Sequence, residues 1–150
     1  MSWDGALAWT NTAPRPLAFT NGVFDLLHPG HVDVLVAARA CGEALVVAVN
    51  SDTSVARLKG PTRPVRSAND RAYILAALEC VDAVVVFEED TPRDLVRYLR
   101  PDVLVKGGDY TPETVVGRND VESWGGRLVI VPLTAGHSTT ATIDRMRANG

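Results

Sequence analysis

The segment "TNGVFDLLHPGH" brings Asp25, His28 and His31 together at three-residue spacings around a Pro-Gly pair. Three interpretations of this segment compete. In the first, the three side chains bind a metal ion, although no fourth ligand with metal-like spacing follows them. In the second, the segment turns into a helix with Pro29 at its first position, and backbone N–H groups and imidazoles bind a phosphate that Gly30 allows to approach closely. In the third, the histidines do no more than cap that helix.

A second segment, "RLKGPTRPVRSANDRA", is strongly basic and almost free of acidic residues before Asp70. A glycine and two prolines stiffen it, and it follows a predicted strand, so it could close on a polyphosphate as a mobile loop. A solvated basic loop is the alternative, and it is the usual explanation of a charge run. The cationic residues of the segment are Arg57, Lys59, Arg63, Arg66 and Arg71.

Two further segments suit an anion. "VKGGDY" places Lys106 at a strand end, then two glycines and Asp109, which combines close backbone approach with one cation and one anion; a plain glycine turn is the alternative. In "GHSTTATIDRMR", Ser138 is a good N-cap, but Ala stands where a capping box has Glu or Gln. The free N–H groups and the hydroxyls of Thr139 and Thr140 therefore suit a bound anion, although capping alone would also explain the serine.

Short β-branched runs alternate with helical patterns along the chain, which predicts an α/β fold. We predict a doubly wound, Rossmann-like sandwich with a five-stranded parallel sheet, in which the loops after the strands form the ligand site at one edge. Residues 1–16 are treated as an N-terminal extension of unspecified order, and residues 17–150 as the domain. The predicted strands are 17–20, 44–50, 82–87, 102–106 and 127–133, and the predicted helices are 30–41, 68–80, 92–99, 112–124 and 138–148.

The composition, 46% hydrophobic and 22% charged, is typical of a globular domain. A net charge of −3 argues against a nucleic-acid-binding surface, so a local cluster of cations must hold any anion. Cys41 and Cys80 lie far apart among apolar residues, which disfavours a disulfide framework and suits a reducing cytoplasm. Neither a signal-peptide pattern nor an apolar run of about 18 residues is found, so we expect a cytoplasmic protein with no membrane contact.

Two helix starts and two basic elements at one sheet edge indicate a nucleoside triphosphate as ligand.

With its H-x-G-H pattern, "TNGVFDLLHPGH" resembles the signature of the nucleotidyltransferase superfamily with the cytidylyltransferase-like fold. Within it, "VAVNSDTSVARLKGPTRPV", "FEEDTPRDLV", "PDVLVKGGDYTPE" and "STT" resemble the D-glycero-β-D-manno-heptose 1-phosphate adenylyltransferases, which make ADP-heptose. The resemblance extends from about residue 17 to residue 147. H-x-G-H specifies the superfamily only, whereas "LVKGGDY" together with "FEEDTP" is specific to the heptose branch. Many members are fused to a sugar kinase; the likeness to the stand-alone form implies that a separate heptose kinase supplies the substrate.

The resemblance implies transfer of AMP from ATP to the sugar 1-phosphate, with release of pyrophosphate and no covalent enzyme intermediate. His28 and His31 are then expected to stabilise charge at the α-phosphate, with Lys59 as a third catalytic residue. Mg²⁺ is expected to arrive with the triphosphate rather than on protein ligands, and a homodimer is expected. The implied substrate-binding residues are Asp25, Arg63 and Asp109. The implied nucleotide-binding residues are Thr20, Asn21, Gly22, Val23, Phe24, Gly30, Lys106, Gly107, Ser138, Thr139 and Thr140.

Two other functions stay open on the sequence. The same chemistry could use another pair of substrates, such as CTP with glycerol 3-phosphate or another sugar phosphate, because spacing does not reveal base choice. From a different class, the chain could be a catalytically silent nucleotide-binding module. The intact pair of His28 and His31, together with Lys59 and the helix start at Ser138, argues against the silent module.

Overall fold

The computed structural model of the protein describes residues 1–108 and 110–132. Five parallel strands form one sheet in the order β3-β2-β1-β4-β5. The strands are β1 (Leu17–Gly22), β2 (Ala44–Asn50), β3 (Ala83–Phe87), β4 (Val103–Gly107) and β5 (Arg127–Val131). The helices are α1 (Trp3–Thr12), α2 (Pro29–Ala40), α3 (Asp52–Lys59), α4 (Ala68–Ala76), α5 (Arg93–Leu99) and α6 (Arg118–Ser123), with a 3₁₀ turn at Pro112–Thr114.

Alternating strand side chains build a separate apolar core on each face of the sheet. In β1, Leu17 and Phe19 point to one core, whereas Ala18 points to the other. The first core is covered by α1, α5 and α6, and the second by α2 and α4. Helices on both faces of an all-parallel sheet confirm the predicted doubly wound α/β sandwich.

The strand order reverses at β1, and this reversal positions the site. β1 pairs with β2 along its whole length, as far as Gly22 with Val49. It pairs with β4 only at Ala18–Val103 and Phe19–Leu104. Beyond those two residue pairs β1 and β4 separate, and a crevice opens between their carboxyl ends. This is the topological switch point at which open α/β sheets bind ligands.

Residues 1–16 contain an element that the sequence analysis does not predict. Helix α1 begins after the N-cap Ser2 and buries Ala6 and Thr10. Its start is bonded to β3, because the terminal amine donates to the Val84 oxygen at 2.9 Å and Trp3 Nε1 donates to the Val86 oxygen at 3.2 Å. The segment therefore packs on the sheet as part of the same structure.

The basic segment also differs from the expected mobile loop. Its first residues, including Arg57 and Lys59, belong to α3, which Ser51 caps by accepting a hydrogen bond from Ser54 N. The sequence pattern does not reveal α3, because a helix of eight mostly polar residues has only a short apolar stripe. The predicted helix at 138–148 lies outside the described residues. Within 1–108 and 110–132, no helix combines the length and apolar character needed to cross a bilayer.

Candidate active site

A cavity of about 630 Å³ lies at the carboxyl ends of β1 and β4. It gathers almost all of the described residues that the sequence analysis assigns to the site. The predicted residues that line it are Thr20, Asn21, Gly22, Val23, Phe24, His28, Gly30, His31, Lys59, Arg63, Lys106 and Gly107. The predicted residues Asp109, Ser138, Thr139 and Thr140 lie outside the described part of the chain.

His28 and His31 form a reciprocal cap at the start of α2. His31 N donates to His28 Nδ1 at 3.4 Å, and His28 N donates to His31 Nδ1 at 3.3 Å. Pro29 occupies the first helical position, as expected. The two rings stack with their centroids 3.7 Å apart, and both line the cavity. Capping and ligand contact are therefore compatible, because the cap uses only one nitrogen of each ring.

The cap also fixes where a neutral imidazole carries its proton. Since Nδ1 of His31 accepts a backbone N–H, its neutral form holds the proton on Nε2 and can donate from there. Burial, and secondarily the charge of His28, lowers the pKa of His31 to about 4. At neutral pH His31 is thus a hydrogen-bond donor without a positive charge.

Asp25 has a different position from the one predicted. Its side chain is fully buried and does not line the cavity. Both carboxylate oxygens accept protein donors, namely Arg63 Nε at 2.9 Å and the backbone N–H groups of Val65 and Arg66 at 2.8–2.9 Å. Burial raises the pKa of this carboxyl, but the hydrogen bonds from Arg66, Val65 and Arg63 outweigh burial and leave the pKa below its ordinary value. Asp25 therefore anchors the basic segment, and its contact with sugar hydroxyls stays a prediction.

The same contacts exclude Asp25 from a metal site with His28 and His31. Its carboxylate oxygens are already bonded to donors of the basic segment, while the two imidazoles stack and cap each other. Across the ranges 1–108 and 110–132, no group of three or more His, Cys, Asp or Glu side chains could hold a metal ion. The described geometry gives no support to the metal interpretation.

Two glycines of the cavity wall are required by crowding. A Cβ atom at Gly22 would lie 2.9 Å from Cε2 of Phe24, whose own backbone is in the left-handed region at φ 50°. A Cβ at Gly107 would lie 2.5 Å from Cγ2 of Val34 on α2. Glycine at these positions lets the turn after β1 and the helix α2 pack closely against the strand ends.

Three cations approach the cavity from different elements. Lys59 is exposed at the end of α3. Arg63 is 11% exposed, and while its Nε is bonded to Asp25, its terminal nitrogens make no hydrogen bond to any described residue. Lys106 Nζ lies 3.3 Å from both the backbone oxygen and Oδ1 of Asn21, so it bridges β4 to β1 across the crevice. Burial lowers the pKa of Lys106 to about 8.

The sequence analysis assigns no role to several further lining residues. Asn50 at the end of β2 is buried and donates to Ser54 Oγ, which in turn donates to the Glu89 oxygen. These bonds hold the loop after β3 against α3. The sequence did contain a signal for the loop after β3, because "FEEDTP" follows a predicted strand. Its last three residues line the cavity. The lining residues without a predicted role are Val34, Asn50, Leu58, Asp90, Thr91, Pro92, Tyr110, Thr114, Val115 and Val116.

Comparison with known proteins agrees with this geometry. The cytidylyltransferase-like family matches residues 19–142. The chain belongs to that family. It is 61% identical over 145 residues to the bifunctional protein HldE of Acidiphilium cryptum, covering 97% of this chain and 30% of the relative. It is 60% identical to HldE of Syntrophotalea carbinolica, over 88% of this chain and 27% of the relative. The chain therefore spans less than a third of the length of these relatives.

Solved structures show the same fold. A lipopolysaccharide core biosynthesis protein from Thermoplasma volcanium has a TM-score of 0.64 and 28% identity, covering 79% of this chain and 95% of that protein. A pantoate-beta-alanine ligase from Francisella tularensis, complexed with beta-gamma ATP and beta-alanine, has a TM-score of 0.63 over 93% of this chain and 67% of its own. At 12% identity, the second likeness concerns the fold alone.

Proposed function

We propose that this chain transfers the adenylyl group of ATP to D-glycero-β-D-manno-heptose 1-phosphate, giving ADP-heptose and pyrophosphate. The main observation behind this proposal is that several phosphate-binding groups line one cavity. They are the N-terminus of α2 with its stacked histidine pair and the cations Lys59, Arg63 and Lys106. Support for the heptose branch comes from the "LVKGGDY" and "FEEDTP" motifs and from the 61% identity to an HldE protein. The likeness to a lipopolysaccharide core biosynthesis protein points the same way.

In the proposed reaction, an oxygen of the sugar 1-phosphate forms a bond to the α-phosphorus of ATP. The bond from that phosphorus to the bridging oxygen breaks, and the oxygen leaves with its electron pair as part of pyrophosphate. The protein's contribution is positioning and charge stabilisation, because no covalent intermediate is needed. The backbone N–H of Gly30, the first that α2 carries because Pro29 has none, and Nε2–H of His31 donate to phosphate oxygens, and Lys106 supplies positive charge at the crevice.

Mg²⁺ enters this proposal as part of the nucleotide substrate. Asp90 is the carboxylate side chain that lines the described cavity, and it accepts a hydrogen bond from Arg57 Nε at 2.9 Å. A single paired and exposed carboxylate does not make a magnesium cage, whereas triphosphate oxygens and water are the usual ligands of this ion. We therefore assign the ion to the triphosphate.

The remaining expectations are part of the same proposal. They are binding of phosphates by Ser138, Thr139 and Thr140, contact of Asp109 with sugar hydroxyls, a homodimer, a cytoplasmic location, and a separate kinase upstream. The matched relatives are named bifunctional, and the chain spans less than a third of them, so the separate kinase stays a prediction. Purification of the protein from its native host, followed by an assay for heptose phosphorylation, would test it.

The test of the proposed function is pyrophosphate release by the purified protein with Mg²⁺. Four nucleotides, ATP, CTP, GTP and UTP, are crossed against the β- and α-anomers of heptose 1-phosphate and against glycerol 3-phosphate. We expect release only with ATP and the β-anomer. The variant that tests the histidine pair is His28→Ala. We expect it to lose kcat on the order of 10²-fold, with a smaller change in ATP affinity.

Each other outcome overturns a stated part of the proposal. Release with CTP and not ATP would remove the adenylyl assignment. Release with glycerol 3-phosphate would remove the heptose. Silence across the panel with ATP still bound would favour the non-catalytic module, and an unchanged rate in His28→Ala would remove His28 from the mechanism.

A further inference from the structure

Arg71 on α4 is a charged side chain buried to 1% exposure, and it does not line the cavity. Its guanidinium donates four hydrogen bonds. Nε donates to the Arg66 oxygen at 3.0 Å, and Nη1 donates to the oxygens of Val23 and Asn50, each at 2.8 Å. Nη2 donates to Oδ1 of Asp52 at 2.9 Å. We call these five residues the Arg71 network.

Each acceptor of the Arg71 network belongs to a segment that carries a cavity residue. Val23 lies in the turn between β1 and the histidine pair. Asn50 ends β2 and lines the cavity itself. Arg66 lies in the basic segment three residues after Arg63, and Asp52 is the first residue of α3, whose last residue is Lys59. The side chain of Arg71 is thus bonded to the turn before the histidine pair, to α3, which carries Lys59, and to the segment that carries Arg63.

The cost of burying this arginine is offset by hydrogen bonds that no other residue type could supply together. Removing a guanidinium from water is unfavourable, and its one carboxylate partner, Asp52, is 52% exposed. A buried apolar side chain of similar volume would avoid that cost but would leave three backbone oxygens without their donor. What an apolar residue, or a lysine, lacks is the rigid planar set of five N–H donors that reaches three backbone oxygens and a carboxylate together.

We propose that Arg71 is a positioning residue, which holds Lys59 and Arg63 at the correct distance from the His28–His31 turn for the phosphates of the reacting nucleotide. This inference rests on the proposed function for its kinetic readout, but not for its binding readout.

The first test is Arg71→Lys, which keeps the charge and loses the planar donor set. We expect kcat/KM for pyrophosphate release to fall about 10- to 100-fold, because small displacements of charge-stabilising groups have effects of that size. The matched control is Leu75→Val, one turn along the same buried face of α4, which weakens the core without touching the Arg71 network. Asp52→Asn is the second variant in case Arg71→Lys fails to fold, and we expect about a 3- to 10-fold loss from it.

The second test separates positioning from a merely structural role. If Arg71 acts through Arg63, then in an Arg63→Ala background the further change Arg71→Lys costs much less than it does alone. This double-mutant cycle compares the unmodified protein, the two single variants and the double variant. For each, kcat/KM is measured by pyrophosphate release and the ATP dissociation constant by calorimetry, well below its melting temperature. The same cycle with Asp52→Asn in place of Arg71→Lys applies if the lysine variant is unfolded.

Additive losses in this cycle, or kinetics of Arg71→Lys equal to those of Leu75→Val, would overturn the proposal. If the unmodified protein binds ATP but releases no pyrophosphate with any pair, the proposed function fails, while the cycle in ATP affinity still decides the role of Arg71. If it binds none of the four nucleotides, both proposals fail.

Discussion

At the scale of single residues, Lys106 links the chemistry of the site to pH. Its amino group spans the crevice between β4 and Asn21 of β1, in surroundings that lower its pKa from 10.5 to about 8. The folded protein therefore loses this charge while the unfolded chain still keeps it. Between pH 8 and pH 10.5 the unfolded state binds more protons, so the contribution of Lys106 to the free energy of unfolding rises with pH in this window.

The effect of high pH on ATP affinity is expected to be opposite in sign to its effect on the free energy of unfolding. Because a triphosphate favours protonated Lys106, ATP affinity should fall above pH 8, by up to about tenfold per pH unit. Calorimetric titration with ATP from about pH 7 to about pH 9.5 measures this. In Lys106→Met, we expect weaker binding at pH 7 and no inflection near pH 8. An unchanged inflection in that variant would assign the titration to another group.

The residue types and spacing of "TNGVFDLLHPGH" predict the cap, the proline position and the cavity contact of both histidines. They do not predict the burial of Asp25. Its partners lie about 40 positions along the chain, and a carboxylate next to a histidine pair has the same sequence appearance whether it faces a ligand or an arginine. The burial of Arg71, which the sequence shows only as one cation of the basic segment, is not predicted for the same reason, since three of its four acceptors lie 19 to 48 positions away.

At the scale of elements, residues 60–67 join α3 to α4 and are fixed mainly through Asp25. One buried carboxylate bonds to Arg63, Val65 and Arg66. The segment is anchored where the sequence suggested a mobile loop, because three of its donors bond to one buried carboxylate.

Asp25→Asn should therefore release this segment. Asparagine replaces an acceptor by a donor that faces the N–H groups of the segment, so we expect a loss of about 3–5 kcal/mol in the free energy of unfolding. We also expect a rise in KM for ATP, because Arg63 loses its anchor. Urea denaturation and steady-state kinetics measure the two effects.

The control for that variant is Asp102→Asn. Asp102 also accepts an arginine and a backbone N–H, from Arg15 and Leu17, but it lies at the amino end of β4, away from the cavity. We expect wild-type KM from it. Equal KM values in the two variants would contradict the anchoring role of Asp25.

Strand positions are largely predictable from the sequence, because four of the five strands are short runs rich in Val, Leu and Ile. Strand ends differ by one or two residues, as in β1, which continues through Asn21 to Gly22. Helix α3 was not predicted, although its start had a local signal. Ser51 is a good N-cap residue, and its hydroxyl accepts a hydrogen bond from Ser54 N. The region 112–124, predicted as one helix, is a 3₁₀ turn followed by α6, with Gly117 in the left-handed region at φ 94° between them.

At the scale of the whole molecule, α1 closes the first core over β3 and α5. The rings of Trp3 and Tyr98 are tilted by 37° with their centroids 5.8 Å apart, and Trp3 donates its indole N–H to β3. The helix contributes no residue to the cavity lining. Stability and site chemistry are therefore separable at this end of the molecule.

Trp3→Ala should lower the free energy of unfolding by about 2–3 kcal/mol, because a half-buried ring leaves the core. Trp3→Phe keeps an aromatic ring, although a smaller one, and loses the hydrogen bond, so a loss of about 1 kcal/mol is expected. Urea denaturation measures both, and kcat/KM of the folded variants should equal that of the unmodified protein. A catalytic defect in Trp3→Phe would contradict the separation of α1 from the site.

The bonds from α1 to β3 have a consequence for the behaviour of the protein at high concentration. β3 is the outer strand beside β2, and since the Phe87 oxygen accepts from Ser51 N, the alternate oxygens of Val84 and Val86 face outward. An outer strand with open acceptors is a template to which a strand of another molecule can add, and such addition is the first step toward amyloid-like assembly. The amine of Met1 and the indole of Trp3 occupy those two acceptors. The contacts of α1 and the residues before it thus cover both acceptors, and we expect this side of the sheet to resist the addition of a further strand.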